Sequence, residues 1–331
     1  MRGGGGLRSF DWNTGPDGTR SASGPLDLLD ETLRDALQSP SVRQPSLEEK
    51  IALLHLMDGL GITTANVGYP GAGERARSDA EALCREIACS RLSIAAKCAG
   101  RTCAEDVVPV VELAQRVGLS LEMGMFLGSS PIRRYAEGWS RGRLLRMTDR
   151  WVSFARERGL CVMFVTEDTT RSRPDDLAQL YRTAVRAGAR RVCLADTVGC
   201  ATPSGVGALV RFARATLDST GGSEVALDWH GHDDRGLAVA NALEAARAGA
   251  DRLHGTALGV GERVGNAAIE RLLLNAAALG WARPNLERLP DYLRTAASAL
   301  HVEIGAGTLA AMLYDDENGD RRKPILGSAA V

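Results

Sequence analysis

The chain has 331 residues, with 40 Lys and Arg against 41 Asp and Glu and a formal net charge of −1. Charges of both signs are interleaved, which excludes the electrostatic footprint of a nucleic-acid-binding or membrane-attached protein. The hydrophobic content of 44% supplies a sizeable core, and no apolar run reaches the roughly 20 residues of a membrane helix. The seven cysteines include no CxxC pair, as in a reduced compartment. We therefore expect a cytoplasmic protein that acts on small molecules.

Composition divides the chain into three regions. Residues 1–24 are rich in Gly and small polar residues and contain too little apolar surface to offset the entropy of ordering, so we predict a disordered leader. Residues 25–281 are predicted to form the catalytic domain. Residues 282–331 are predicted to form part of a linker, with a helical segment near Asp291–Leu300.

From Leu26 onward, short apolar runs alternate with helical patterns that end at glycine. The predicted strands are Leu26–Asp30, Ile62–Val67, Leu92–Cys98, Leu119–Met125, Leu160–Val165, Arg191–Ala195, Val225–Trp229 and Arg252–His254. Several are continuously apolar, as expected for strands that helices cover on both faces. Eight such units in about 255 residues predict an α/β fold, a (β/α)8 TIM barrel with a short C-terminal helical appendage.

Polar residues cluster at the ends of five predicted strands. These clusters are Asp30–Asp35, Thr166–Asp168, Asp196–Thr197, His230–His232 and Gly259–Asn266. A barrel brings the C-terminal ends of its strands to one face, so residues far apart in the sequence are expected to meet in one pocket.

His230 and His232 are two residues apart at a strand end and therefore project from the same face. With Asp35 and the side-chain oxygen of Asn266 they make a plausible mixed nitrogen and oxygen shell for a divalent cation, with positions left for water or substrate. The alternative is a hydrogen-bonded pair of structural histidines.

Three further residues are candidates for catalysis. Arg34 adjoins Asp35, and its guanidinium can hydrogen-bond an oxygen that gains negative charge, or it can hold Asp35 in a salt bridge. Glu167 is a candidate for proton transfer, with a helix-start carboxylate as the alternative. Thr197 is a candidate for binding a carboxylate, with an N-cap ahead of Pro203 as the alternative.

Candidate substrate contacts come from two loops. Gly259 and Gly261 allow the backbone to approach a phosphate or thioester oxygen closely, although the loop lacks the GxGxxG spacing of a dinucleotide site. Arg133 and Arg134 follow Gly128–Ser130 and are candidates for a distal carboxylate, with a helix-surface role as the alternative.

Five motifs in order resemble the acyl-CoA condensing branch of the DRE-TIM metallolyase superfamily, which includes 2-isopropylmalate, homocitrate and citramalate synthases. They are Asp30–Gln38, Thr166–Arg171, Ala195–Gly199, His230–Asp234 and Gly259–Ala267. The resemblance implies a divalent metal on Asp35, His230, His232 and Asn266 that chelates the carboxylate and ketone of a 2-oxo acid.

The resemblance also implies roles for the other residues. Arg34 would polarise the ketone, Glu167 and Thr197 would position substrate, and Gln38 and Asp196 would belong to the substrate-binding set. The enolate of an acyl-CoA, expected to be acetyl-CoA, would attack the 2-oxo acid, and hydrolysis would release a 2-alkylmalate-type product and CoA. A homodimer is expected.

Two alternatives follow from the same comparison. Lyases of the hydroxymethylglutaryl-CoA type resemble this barrel and run the reverse cleavage, but they carry a Cys in the loop before the final Gly-Asn, and Gly259–Asn266 has none. The second alternative is a barrel subunit that binds metal and 2-oxo acid and receives its catalytic base from a second polypeptide.

The sequence departs from the resemblance at two places. Ala36 stands where the signature has Gly after Arg-Asp, which raises the question of whether the loop keeps its geometry. Lys323–Val331 resembles the start of a segment that leads, in relatives, to a His-bearing motif that supplies the base, and here the sequence ends. We therefore expect the usual base to be missing, with His301 as a candidate substitute.

Overall fold

The computed structural model describes residues 24–305 and Thr308, so most of the predicted leader and the segment Lys323–Val331 lie outside the described residues. Eight parallel strands pair in sequence order and close into a barrel as β8 pairs with β1. The strands are β1 (Asp27–Asp30), β2 (Thr64–Gly68), β3 (Ala95–Arg101), β4 (Glu122–Gly128), β5 (Cys161–Glu167), β6 (Arg191–Asp196), β7 (Ala226–Gly231) and β8 (Arg252–Gly255). The predicted TIM barrel is confirmed.

All eight strands overlap their predicted positions, but β3 and β4 both begin and end three residues later than predicted. The apolar runs begin early because Ile94 and Leu121, which precede these strands, are buried without belonging to them. Hydrophobicity reports burial, whereas hydrogen-bonded pairing defines a strand.

Helices cover the outside of the barrel. They are α1 (Leu47–Leu60), α2 (Glu74–Cys89), α3 (Ala104–Val117), α4 (Pro131–Ala136), α5 (Arg141–Glu157), α6 (Pro174–Ala187), α7 (Pro203–Asp218), α8 (Ala238–Ala248), α9 (Ile269–Ala278) and α10 (Leu289–Leu300). The start of α1 is fixed by reciprocal hydrogen bonds between Ser46 and Glu49, a capping box. None of the helices in the described part of the chain is long and apolar enough to cross a membrane.

An ionic network closes the N-terminal end of the barrel. Arg252 donates to Asp228 at 2.7 Å and to Glu122 at 2.5 Å, and Arg191 donates to Asp228 at 2.7 Å. Burial alone would raise the pKa of Asp228, but the charges of Arg252 and Arg191 hold it far below its usual range. The open face of the barrel is therefore the opposite, C-terminal end of the strands.

The predicted C-terminal helix is present as α10, and its apolar face is part of the core. Tyr292, Leu293 and Leu300 are buried, and α10 packs against α1. The Tyr292 hydroxyl donates to the carboxylate of Asp30 at the end of β1. This contact joins the C-terminal helix to the strand that leads directly into the candidate metal loop.

Candidate active site and metal centre

A cavity of about 370 Å³ opens at the C-terminal ends of the strands. Its charged and polar lining consists of Glu31, Arg34, Asp35, Gln38, Lys97, Arg133, Glu167, Thr197, His230, His232, His254 and Glu262. Small and apolar side chains, including Ala99, Phe126, Met163 and Ala195, complete the wall. The structure thus brings residues from separate strand ends into one pocket, as the sequence predicts.

Asp35, His230 and His232 form the candidate metal centre. One ligand atom from each lies within 4.8 Å of the others, and the two imidazole rings are 5.2 Å apart between centroids. Burial lowers the pKa of His230 to about 3, so its ring is neutral and carries a lone pair. Burial alone would raise the pKa of Asp35, but the charge of Arg34 beside it lowers that pKa, so this carboxylate is ionised.

Two buried atoms beside this cluster have no hydrogen-bond partner among the described residues. They are Nδ1 of His232 and Oδ1 of Asn266, and their residues are 5% and 4% exposed. Buried polar atoms are normally satisfied, so unpaired acceptors next to an ionised carboxylate need an explanation. A divalent cation supplies one, because imidazole nitrogen, amide oxygen and carboxylate oxygen are all suitable ligands. The residues present therefore fit a metal.

The loop between Gly259 and Asn266 is built around the Asn266 side chain. A Cβ added to Gly261 would lie 1.8 Å from Asn266 Oδ1, and one added to Gly265 would lie 2.0 Å from the Gly259 carbonyl oxygen. The Asn266 amide donates to Asp35 Oδ2 at 2.5 Å, and its backbone N–H donates to Gly259. Neither Gly259 nor Gly261 lines the cavity, so these glycines position Asn266 rather than contact a ligand there.

Arg34 makes the salt bridge to Asp35 that the sequence left open, and it also faces the cavity. Its guanidinium donates to Glu31 Oε2 at 2.6 Å and to Asp35 Oδ1 at 3.0 Å. Gln38 lies beside it, with its Oε1 3.4 Å from Arg34 Nη1. The charges of Asp35 and Glu31 raise the pKa of Arg34 despite its burial, so a permanent cation stands next to the candidate metal ligands.

Glu167 and Thr197 lie across the cavity at the ends of β5 and β6. Glu167 is the last residue of β5, not a helix-start carboxylate, and its Oε1 is 3.3 Å from Arg133 Nε. Burial raises the pKa of Glu167, opposed by the charge of Arg133. Thr197 accepts a hydrogen bond from the backbone N–H of Asp168 at 2.8 Å.

Three sequence-based expectations do not match the structure. The N-cap of α7 is Thr202, not Thr197. Arg134 does not line the cavity, because it donates to Asp176 on α6 at 2.8 Å. Asp196 is buried and saturated, since its carboxylate accepts hydrogen bonds from Thr170 Oγ1 and from the backbone N–H groups of Cys200 and Ala201, which leaves it as a loop brace.

Of the two departures from the signature, Ala36 lies within the described residues and Lys323–Val331 does not. Ala36 has no positive φ and is accommodated in a 3-10 turn after Asp35, so the loop does not require glycine there. His301 caps the end of α10, is exposed and does not line the cavity, so it does not lie at the candidate site of the described residues.

Four charged or polar residues of the cavity wall were not among the predicted site residues: Glu31, Lys97, His254 and Glu262. Glu31 stands within the first motif, and Lys97 and His254 lie in β3 and β8. His254 Nε2 donates to Asp228 Oδ2 at 2.9 Å, and Lys97 donates to Glu31 Oε1 at 2.5 Å. A lone lysine or histidine inside a predicted buried strand was the available signal.

Comparison with known proteins supports this picture. The sequence profile of the HMGL-like family matches residues 25–295. A 2-isopropylmalate synthase from Lactococcus lactis subsp. cremoris is 33% identical over 248 residues, which are 75% of this chain and 47% of that protein. Homocitrate synthase AksA from Methanopyrus kandleri is 32% identical over 294 residues, 86% of this chain and 70% of that protein.

The chain spans about half the length of most of the curated synthases it matches. Among solved structures, a hydroxymethylglutaryl-CoA lyase from Pseudomonas aeruginosa aligns with a TM-score of 0.71 at 19% identity, covering 87% of this chain and 97% of that chain. This likeness establishes the shared fold.

Proposed function

The chain belongs to the HMGL-like family, and we propose that it catalyses a metal-dependent condensation of an acyl-CoA with a 2-oxo acid. The observation that carries the proposal is the Asp35–His230–His232 cluster with Arg34 beside it in the open cavity. The synthases that match over three quarters of the chain support condensation as the direction of reaction. Acetyl-CoA is the expected acyl donor, and a 2-alkylmalate-type acid and free CoA are the expected products.

A divalent cation bound by Asp35, His230, His232 and Asn266 would polarise the ketone of the 2-oxo acid and hold its carboxylate. Asp35 would supply the anionic ligand, the imidazoles of His230 and His232 would each supply a ring nitrogen, and Asn266 would supply its unpaired Oδ1. Arg34 presents a fixed guanidinium to the ketone oxygen as negative charge develops there.

Carbon–carbon bond formation requires a proton to leave the carbon next to the thioester carbonyl. We assign this transfer to Glu167, whose burial raises its pKa and makes it a stronger base than an exposed carboxylate. The carbanion then attacks the ketone carbon, and the former ketone oxygen takes up a proton. Hydrolysis of the thioester releases the thiol of CoA.

A second cavity supplies room for a long co-substrate. It has a volume of about 520 Å³ and shares Arg34 and Gln38 with the first. Its wall includes Tyr69 and Arg75 beside the start of α2. An acyl-CoA lying in this groove would place its acyl end next to Arg34, where the 2-oxo acid is bound in the proposal.

The loop from Gly259 to Asn266 favours synthesis over lyase chemistry, because it contains no cysteine. The fold likeness to lyases does not bear on the choice, since both reactions use this barrel. A lyase would cleave a hydroxymethylglutaryl-CoA-type substrate and make no product from acetyl-CoA and a 2-oxo acid.

The decisive experiment follows thiol release from acetyl-CoA with a panel of 2-oxo acids, with Mg²⁺, Mn²⁺ or Zn²⁺ added in turn. We expect thiol release that depends on both the acid and the metal, with a matching new carbon–carbon product by mass spectrometry. A parallel reaction with hydroxymethylglutaryl-CoA should give no acetoacetate. Release of acetoacetate from hydroxymethylglutaryl-CoA, without condensation of acetyl-CoA with any 2-oxo acid, would replace the proposed condensation by lyase activity.

A further inference from the structure

Lys97 is a buried lysine in the cavity wall that the proposed reaction does not use. It is the third residue of β3, and the residue is 3% exposed. Its ammonium donates to Glu31 Oε1 at 2.5 Å, and it has no other hydrogen bond within the described part of the chain. An ammonium carries three N–H donors, so two remain for a ligand in the cavity.

The neighbouring strand is adapted to this lysine. A Cβ added to Gly124 on β4 would lie 2.7 Å from Lys97 Cε and 3.5 Å from its Nζ. Gly124 does not have a positive φ, so the absence of a side chain serves space rather than backbone conformation. Any larger residue at this position would push the ammonium away from its present place in the wall.

Glu31 connects the ammonium to the metal end of the cavity. One of its carboxylate oxygens accepts from Lys97, and the other accepts from Arg34 at 2.6 Å. Arg34 in turn donates to Asp35. Lys97 and Arg34 therefore flank a single carboxylate group, and both line the same cavity.

The charges around this cluster leave room for a second anion. Glu31 and Asp35 are balanced by Arg34 and Lys97, so a bound divalent cation would add two positive charges. A monocarboxylic 2-oxo acid neutralises one of them, and a dicarboxylic acid neutralises both. Of the remaining charged groups of the wall, Glu167 pairs with Arg133. Glu262 is half exposed to solvent and lies 3.6 Å from Arg263, which pairs more closely with Asp234. Uncompensated charge is costly next to buried groups such as Glu31 and Asp35.

Resting on the proposed condensation, we propose that Lys97 forms an anion subsite that selects short 2-oxo acids with a second carboxylate. That carboxylate accepts hydrogen bonds from the two free N–H groups of Lys97, while the 2-oxo carboxylate group of the same molecule lies at Arg34. A 2-oxo acid with an apolar group in place of the second carboxylate would leave these buried donors unpaired. A site that hydrogen-bonds a substrate group strongly disfavours substrates that lack that group. Lys97 is thus a specificity-determining residue.

The test compares substrates of similar length with and without the second carboxylate. The wild-type protein should use oxaloacetate or 2-oxoglutarate with a kcat/KM at least about 100-fold above that for 2-oxopentanoate. Lys97→Met keeps an unbranched side chain one atom shorter and removes the charge, and should lower this ratio by about 100-fold, mainly through KM of the dicarboxylic acids. Arg214→Met, which removes a partly buried cation paired with Asp251 away from both cavities, should keep the wild-type ratio.

Calorimetry separates this inference from the proposed function. Titration of the metal-loaded protein with each acid, without acyl-CoA, should show tighter binding of the dicarboxylic acid and loss of that preference in Lys97→Met. The binding preference is expected even if no thiol is released. Absence of thiol release would contradict the proposed condensation but not the proposed anion subsite. Equal binding of both acid classes by the wild type would overturn the subsite.

A second variant guards against misfolding of Lys97→Met. Gly124→Ala crowds the Lys97 chain and should shift the substrate ratio in the same direction, with helix content checked by circular dichroism. A wild-type preference for apolar 2-oxo acids would overturn the inference without any variant. An unchanged ratio in a folded Lys97→Met protein would do so as well.

Discussion

A Cβ on Gly261 would lie 1.8 Å from the side-chain oxygen of Asn266, so the buried acceptor beside Asp35 depends on a glycine that does not touch the cavity. The glycines after β8 therefore support the metal site from behind. As a sequence motif the glycine-rich loop is weak evidence for a site. The structure shows that position 261 must be glycine for the Asn266 side chain to keep its place.

Gly261→Ala should weaken metal binding by displacing Asn266. Outer-shell changes of this kind typically cost roughly 10–100-fold in metal affinity. Metal content after dialysis against a chelator series measures the effect. Gly59→Ala is the matched control, because the nearest atom to its added Cβ is 3.9 Å away. Equal affinity in both variants would mean that Asn266 is not a ligand.

His232→Ala should lose more metal affinity than Gly261→Ala, because it removes a ligand instead of moving one. The barrel should stay folded, since the His232 side chain lies at the strand ends and not in the apolar core. His55→Ala is the control, because His55 is exposed on α1 and pairs with Glu86. The bound metal in each purified protein is measured by mass spectrometry. If His232→Ala contains as much metal as the wild type, His230 and His232 are a structural pair and not metal ligands.

The barrel and most of the candidate site follow from the sequence because they rest on local signals. Continuous apolar runs report strands covered on both faces, and strand ends collect on one face in any closed parallel barrel. The His230–His232 spacing and the position of Asp35 after β1 then place three candidate ligands together without knowledge of side-chain contacts.

The parts that the sequence did not provide depend on direction and on non-local space. Arg133 and Arg134 are adjacent, yet one lies beside Glu167 in the cavity and the other pairs with Asp176 on α6. Lys97 is inside the barrel because Gly124, on the next strand, leaves room for it. No periodicity or motif in the sequence predicts the different directions of Arg133 and Arg134 or the space that Gly124 leaves for Lys97.

Arg34→Lys should keep metal binding and lower turnover by about 10²–10³-fold, as is typical for losing one donor to a developing oxyanion. Lysine keeps the charge but not the two-sided contact that Arg34 makes with Glu31 and Asp35. The readout is kcat for thiol release, with metal content measured on the same preparation. Near-normal kcat would reduce Arg34 to a brace between the two carboxylates.

Asp30 gives a prediction for the pH dependence of stability. Burial raises its pKa from 3.8 to about 6, while hydrogen bonds from Thr32 and Tyr292 oppose the shift. The folded protein therefore holds this proton more tightly than the unfolded chain does. The resulting stability is fully present below pH 3.8 and is lost as the pH rises through about 6.

Asp30→Asn removes this titration and keeps an oxygen to accept from the Thr32 backbone N–H. Relative to wild type, its free energy of unfolding should rise by about 1 kcal/mol between pH 5 and pH 7.5, because only the wild type loses the bound proton over this interval. Urea denaturation at both pH values gives the two differences. Asp149→Asn, on the exposed side of α5, is the control: its free energy of unfolding should differ from that of the wild type by the same amount at both pH values. A pH-independent difference for Asp30→Asn would mean that Asp30 is ionised in the folded protein throughout and that Tyr292 anchors α10 to a charged carboxylate.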